Sequence, residues 1–214
     1  MPRRVYIARH GNRIDFVDKT WKARAERPHD PHLSPDGLDQ AKRLAERMRA
    51  TAVRHVFASP FYRCVQTAHE TAAVLGLPLK IEHGACEYLN AEWFPVAPEF
   101  LPPARLARDF PRVDAAYTPH VSPAWPEPNE REHTWPRCAQ TIRLLLDRYD
   151  GDLFIVGHGA TVLGLTYGLV PGEPHLTCGL TGLVELEQNG SAWTLVRNGC
   201  QAHLESTESE KRFN

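Results

Sequence analysis

The sequence predicts an α/β protein, a three-layer α/β/α sandwich around a mostly parallel, mixed sheet. Three observations lead there. Short apolar runs of strand type alternate with segments of helical periodicity along most of the chain. The first of them form a βαβαβ series, which implies parallel strands covered by helices. A hairpin pattern then closes the regular part of the chain.

Arg3 to Arg9 reads as the first strand, built on Val5-Tyr6-Ile7-Ala8. Ser34-Pro35-Asp36-Gly37 opens a helix whose Leu38, Ala41, Leu44, Ala45 and Met48 fall on one face. Val53 to Ala58 is the second strand. Ser59-Pro60 then starts a helix through about Leu75, with the proline placed near its first turn. Gly76-Leu77-Pro78 breaks that helix before a third short strand, Leu79 to Glu82.

From 84 to 133 regular periodicity gives way to recurring prolines interleaved with Trp93, Phe94, Phe100, Phe110, Tyr117 and Trp125. So many aromatics speak against a disordered linker, and the stretch reads as an ordered insertion packed over the active site. Trp93, Phe94 and Trp125 either line a substrate cleft or form the insertion's own core. A helix carrying Cys138, Ile142, Leu145 and Leu146 then runs from Thr134 to about Tyr149. It is followed by a fourth strand, Asp152 to Gly157, apolar enough to be buried on both faces. His158-Gly159-Ala160-Thr161 opens a further helix toward Leu169, and Leu180 to Glu187 pairs with Trp193 to Val196 around Gln188-Asn189-Gly190. Residues 1–199 are expected to form a single domain, and 200–214 a polar C-terminal tail.

Composition narrows the function. With 25 Lys and Arg against 26 Asp and Glu, the net charge of −1 leaves no electrostatic footprint for nucleic acid or an anionic membrane, so any anion site must be local. The chain shows no signal-type or membrane-spanning segment and is expected to be cytoplasmic. Its five cysteines never form a C-x-x-C pair and read as free thiols. His29 with His32, or Glu130 with His133, could each offer two metal ligands. A zinc site needs three or four converging ones, and no metal is expected.

Three strands end in polar, reactive residues: Arg9-His10-Gly11, Ser59-Pro60-Phe61-Tyr62-Arg63 and Gly157-His158-Gly159. Ligands of open α/β sheets bind at the carboxyl ends of strands. Two arginines and two histidines in one crevice repel one another and resist desolvation unless a dianion sits between them. A phosphate group fits, because the planar Arg fork matches its oxygens. His10 is then the candidate nucleophile, able to attack phosphorus through a neutral imidazole nitrogen. Arg9, Arg63 and His158 hold the phosphoryl oxygens, aided by amides after His158 at a helix N-terminus. Glu87 is the best-placed general acid, Arg13 an additional phosphate or substrate contact, and Gly11 and Gly159 provide close backbone approach at the site.

These motifs, with a Glu after the third strand, resemble the histidine phosphatase superfamily (branch 1), the phosphoglycerate-mutase-like group. The resemblance spans nearly the whole chain. Ala8 to Asp15 together with Ala58 to Ala68 is most similar to the TULA/Sts-type protein tyrosine phosphatases and the fungal transcription factor tau55 domain. The resemblance implies a metal-independent phosphatase, without cofactor, working through a phosphohistidine at His10, with Arg9, Arg13, Arg63 and His158 in the pocket and Glu87 as proton donor. Its substrate would be a phosphorylated small molecule or phosphoprotein, with no nucleic-acid or membrane partner and with room for a homodimer.

Two departures bear on function. Glu87 is followed by Tyr88-Leu89-Asn90-Ala91-Glu92-Trp93, with no basic cluster before Arg105, where the mutases grip a bisphosphate. The late motif carries Ala160 where many TULA-type relatives have a serine, and Thr161 is not counted as its replacement. Two other readings stay open: a phospho-ligand binding module with little turnover, and a phosphoglycerate-type mutase.

Overall fold

The computed structural model describes residues 2–204. One sheet of six strands organises it, in the order β3-β2-β4-β1-β5-β6. The strands are β1 (Arg4–Arg9), β2 (Val53–Ala58), β3 (Leu79–Ile81), β4 (Asp152–Gly157), β5 (Leu183–Asn189) and β6 (Ala192–Cys200). β3, β2, β4 and β1 run parallel, while β5 pairs antiparallel with β1 and β6 antiparallel with β5. The sheet is mixed and mostly parallel, as expected.

The helices are α1 (Ile14–Val17), α2 (Trp21–Arg24), α3 (Pro35–Met48), α4 (Tyr62–Leu75), α5 (Pro103–Asp109), α6 (Trp135–Arg148) and α7 (Gly159–Tyr167). Strand alternation assigns the two faces. Tyr6, Ala8, Val56, Ala58, Phe154 and Val156 pack with Leu44, Met48, Val65 and Ala68 of α3 and α4. Val5, Ile7, Phe57, Leu153 and Ile155 pack with Cys138, Ile142 and Leu145 of α6 and Val162 and Leu165 of α7. Both faces are covered, so the central strands carry apolar side chains on either side.

Several expectations shift. Pro60 lies outside α4, whose N-cap is Phe61, because Ser59 and Pro60 instead carry the chain out of β2. The segment between β1 and α3 holds two single-turn helices, α1 and α2, too short to show an apolar period. The 84–133 segment is ordered around α5, and a π-helical turn, Glu130–Thr134, precedes α6. β6 extends through Cys200, which pairs with Leu183, so the sheet takes in the first residue assigned to the polar tail. Gln201 continues that attachment by donating to the Leu180 carbonyl at 2.8 Å. The remainder of the expected tail, 205–214, lies outside the described residues.

The turn after β1 is pressed against the start of α3. Ser34 caps that helix by accepting from the Gly37 amide, and the Ser34 amide donates to the Asn12 carbonyl at 2.9 Å. A Cβ on Gly37 would stand 2.1 Å from the Asn12 oxygen, and one on Gly11 would stand 2.6 Å from the Gly37 oxygen. Alanine is better than glycine inside a helix by up to about 1 kcal/mol, but this clash is with backbone and cannot be relieved by a rotamer change. Gly37→Ala is therefore expected to lose about 1–3 kcal/mol of stability net, measured by urea unfolding. An unchanged midpoint would show that the turn after β1 can move away at no cost.

Candidate active site

The order β2-β4-β1 places three strand ends side by side. Arg9 pairs with Gly157 and Ala58 with Val156, so Ser59, His158 and His10 emerge from adjacent strands at one level. His10 and Ser59 are tied at their exits to β4: the His10 amide donates to the Gly157 carbonyl at 3.0 Å and the Ser59 amide to the Val156 carbonyl at 2.9 Å. Arg63 enters from the first turn of α4, and Glu87 from the irregular segment after β3. All five predicted residues, Arg9, His10, Arg63, Glu87 and His158, are buried.

His10 lies 5.3 Å from His158, ring centre to ring centre, edge to face. Its Nδ1 is 2.7 Å from the Gly11 carbonyl oxygen, which can only accept, so Nδ1 carries the proton and Nε2 the lone pair. Burial, followed by the charges of Arg63 and Arg9 and by His158, drives the His10 pKa well below the ordinary 6.5. The ring is neutral at physiological pH, with Nε2 free to act as a nucleophile.

His158 is held between Ser59 and the Arg63–Glu87 side of the pocket. Its Nε2 is 2.8 Å from the Ser59 hydroxyl, and its Nδ1 is 3.2 Å from Arg63 Nη2 and 3.3 Å from Glu87 Oε2. Burial lowers its pKa to about 4, against the pull of Glu87. Burial alone would raise Glu87, but its neighbours His158 and Arg63 and the Tyr88 amide hold the carboxyl at about 2. At neutral pH the pair thus carries a single negative charge, on Glu87.

The arginines are incompletely satisfied. Arg9 donates through Nη1 to the Cys178 carbonyl at 2.9 Å, while its Nε is buried with no hydrogen-bond partner among the described residues. Arg63 has the same deficit at Nε and Nη1. Asp30, 4.0 Å from Arg63 Nη1, also accepts from the Tyr62 amide and pairs with Arg27, which anchors the start of α4. Buried, unpaired guanidinium N–H groups are costly, and an oxyanion between them would satisfy both.

The remaining predicted contacts fare differently. Arg13 borders the groove that holds Arg63 and Glu87, but its guanidinium forks onto Asp15 and lies 4.3 Å over the Phe16 ring. Gly11 serves the close approach to Gly37. Gly159 opens α7 and has open space where a Cβ would stand, so its contribution is the backbone amide of a helix N-terminus. Sequence reasoning missed Asp30, the Cys178 carbonyl and the Ser59 hydroxyl as parts of the pocket. Only Ser59 carried a signal, as the first residue of its motif.

Two grooves leave the pocket, and both are bordered by Glu87 and Trp93. One, of about 400 Å³, is lined by Gly159, Ala160, Leu163, Leu176 and Cys178 and is chiefly apolar. The other, of about 330 Å³, is lined by Arg13, Asp15, Lys22, His29 and Glu92. Trp93 is 42% exposed and divides them. Phe94, by contrast, is buried against Phe61, and the Trp125 indole donates to its carbonyl. Of the three aromatics, Trp93 lines both grooves, Phe94 also borders the second from its buried position, and Trp125 borders neither.

A sandwich whose parallel strand ends gather two neutral imidazoles, two buried arginines and a carboxylate defines a two-histidine anion pocket on a phosphoglycerate-mutase-like α/β fold. Residues 5–201 match the histidine phosphatase superfamily (branch 1), and the chain belongs to that superfamily. The ecdysteroid-phosphate phosphatase of Drosophila melanogaster is 29% identical over 247 residues, covering 92% of this chain and 32% of that protein. The transcription factor tau 55 kDa subunit of Saccharomyces cerevisiae is 28% identical over 188 residues, covering 78% and 40% respectively. The chain therefore spans roughly a third of the length of these curated relatives. In fold it is similar to the crystal structure of the silkworm ecdysone phosphate phosphatase in complex with tungstate, with a TM-score of 0.79 and 22% identity over 99% of this chain and 98% of that one. The family resemblance read from the motifs is borne out.

The depressed imidazoles of His10 and His158, together with that of His203, which burial lowers to about 4, make stability depend on pH. In the unfolded chain they take protons near 6.5, and in the folded chain only well below it, so the unfolded state binds more protons as pH falls. The stabilisation is complete above about pH 6.5 and is lost progressively toward pH 4, with Glu87 adding to the loss below about 4.5. Urea midpoints should therefore fall steadily from pH 7 to 4.5. A flat profile over that range would mean that at least one ring is charged in the folded state.

Proposed function

We propose that this domain hydrolyses a phosphomonoester through a covalent phosphohistidine at His10. The observation that carries this reading is the orientation of His10. Its Nδ1 is fixed on the Gly11 carbonyl, which leaves a neutral Nε2 beside two buried arginines with unpaired donors. Nε2 attacks phosphorus as the bond to the leaving oxygen breaks in line, and that oxygen takes a proton from Glu87. Water then attacks the phosphohistidine, Glu87 accepts its proton, and inorganic phosphate and neutral His10 are released. Arg9, Arg63, the His158 ring and the first amides of α7 stabilise the three equatorial oxygens.

Glu87 is ionised in the free pocket, so its proton has to arrive with the substrate. A phosphoryl dianion placed against the carboxylate raises its proton affinity, and a monoanionic ester can hand over its own proton. Either route needs one proton shared between Glu87 and the ester. A binding module would need the arginines but neither a nucleophile nor an acid. Against a mutase, Arg105 is paired with Asp109 on α5 and borders neither groove.

The apolar groove beside Trp93 supports a leaving alcohol with a bulky, hydrophobic body, presented by a small molecule or an exposed protein side chain. We place the protein in the cytoplasm, a setting suited to the free thiols of Cys64, Cys86 and Cys138, all buried in the folded chain.

Steady-state hydrolysis of p-nitrophenyl phosphate with EDTA present tests the reading. His10→Ala should lower kcat/KM by at least about 10³-fold, and rapid quenching of the wild type should trap phosphorus on His10. No turnover by the wild type, or retention of it by the variant, would overturn the mechanism. For an alkyl phosphate, kcat/KM should decline above about pH 6, the second ionisation of a phosphate ester, because the shared proton is then lost. p-Nitrophenyl phosphate, whose leaving group needs no acid, should show a flatter profile. Glu87→Gln should cost about 10²-fold or more on the alkyl ester and remove the difference between the two profiles.

A further inference from the structure

Glu87 belongs to no helix or strand, yet its backbone is held as firmly as one that does. The carbonyls of Gly84, Ala85, Cys86 and Glu87 are all engaged by side chains. Arg137, near the start of α6, donates from Nη1 to Gly84 at 2.8 Å and to Cys86 at 3.1 Å, and from Nη2 to Glu87 at 3.0 Å. The Thr161 hydroxyl, in the first turn of α7, lies 3.2 Å from the Ala85 oxygen and 3.1 Å from that of Cys86. The two remaining N–H groups of Arg137 fork onto Glu127, from Nε at 2.7 Å and from Nη2 at 3.0 Å. Glu127 in turn accepts from the Leu89 amide at 3.0 Å and the Thr134 hydroxyl at 2.8 Å.

All five donors of Arg137 are thus committed, and the residues on both sides of Glu87 are fixed to α6 and α7. Arg137, Glu127 and Thr161 are buried. Desolvating an ion pair to hold four loop residues is an expensive way to secure an ordinary surface turn. It is understandable where one carboxylate must stand within 3.3 Å of His158, since a misplacement of about 1 Å at a reacting group can cost on the order of 10²-fold in rate. Thr161 strengthens the point, because it lies on the helix that follows His158 directly. The two partners of the Glu87–His158 pair are thereby referenced to the same element.

We propose that Arg137, locked by Glu127 and assisted by Thr161, is the positioning residue for the Glu87 proton donor. It touches no substrate and acts only through the backbone of 84–87. The inference rests on the phosphatase reading above. A lysine cannot replace Arg137, because a compact ammonium reaches neither the carboxylate fork nor three carbonyls at once.

Leaving-group dependence provides the test. Arg137→Lys and the milder Thr161→Val would be compared with wild type on an alkyl phosphate and on p-nitrophenyl phosphate, with the inhibition constant of vanadate as a readout of the oxyanion pocket. The expected result is a loss of kcat on the alkyl ester of about 10-fold or more for Arg137→Lys, and a smaller loss in the same sense for Thr161→Val. kcat for p-nitrophenyl phosphate and the vanadate constant should stay within about threefold. Equal losses on both esters, or weakened vanadate binding in parallel, would show a merely structural role and overturn the proposal. So would an unchanged alkyl rate in both variants. If Arg137→Lys does not fold, Thr161→Val alone decides by the same ratio. Failure of the wild type on both esters would overturn the phosphatase reading itself.

Discussion

Everything at this site follows from the burial of two guanidinium groups, Arg9 at the carboxyl end of β1 and Arg63 in the first turn of α4 beyond β2. Arg9 and Arg63 are almost fully removed from water, with donors that find no hydrogen-bond partner among the described residues. Such an arrangement is tolerated only if the surroundings restrain those charges and a ligand completes them. The surroundings respond accordingly. His10 and His158 are held neutral, Asp30 and Glu87 supply the compensating carboxylates, and the sheet order places the contributing strand ends at one level. Neutrality of His10 is both an electrostatic requirement of the pocket and the condition for its nucleophilicity.

The same economy recurs outside the pocket. The strands that deliver His10, Ser59 and His158 are fixed by ladder hydrogen bonds and by apolar layers on both faces, so those residues inherit the rigidity of the sheet. Glu87 has no such ladder, and side chains from α6 and α7 take its place. The 84–133 segment then wraps outward from that anchored point. Glu82, fully buried, accepts from the Tyr117 hydroxyl and the amides of His120 and Val121, which pins the far part of the segment to the end of β3. Trp93 is thereby left standing between two grooves.

Legibility in the sequence tracked the range of the interaction that fixes each feature. β2 and β4 were readable to the residue because their apolar runs are continuous and their ends are marked by Ser59 and His158. α3 was readable from its Ser34 cap and apolar stripe. α1 and α2 were not, since four residues cannot establish a period. Pro60 suggested a helix start, but in this chain it belongs to the turn leading out of β2. Within the site, residues flanking strand ends were found because strand ends can be recognised locally. Asp30 was missed because it lies in an aperiodic segment and reaches Arg63 only through the packing of that segment against α4.

The sequence by itself determined the alternation of strands and helices, the placement of Arg9, His10, Arg63, Glu87 and His158 beside strand ends, and the family to which they point. Each of these rests on periodicity, capping or short motifs, which are properties of neighbouring residues. Tertiary structure alone decided which imidazole nitrogen of His10 carries the proton, that Arg13 is forked onto Asp15, that Trp93 and not Trp125 stands between the two grooves, and that Arg137 holds the loop of Glu87 from 50 residues away. These outcomes depend on burial and on hydrogen bonds between segments distant in the chain. Both are settled only when the layers close on the sheet, and no local pattern encodes them.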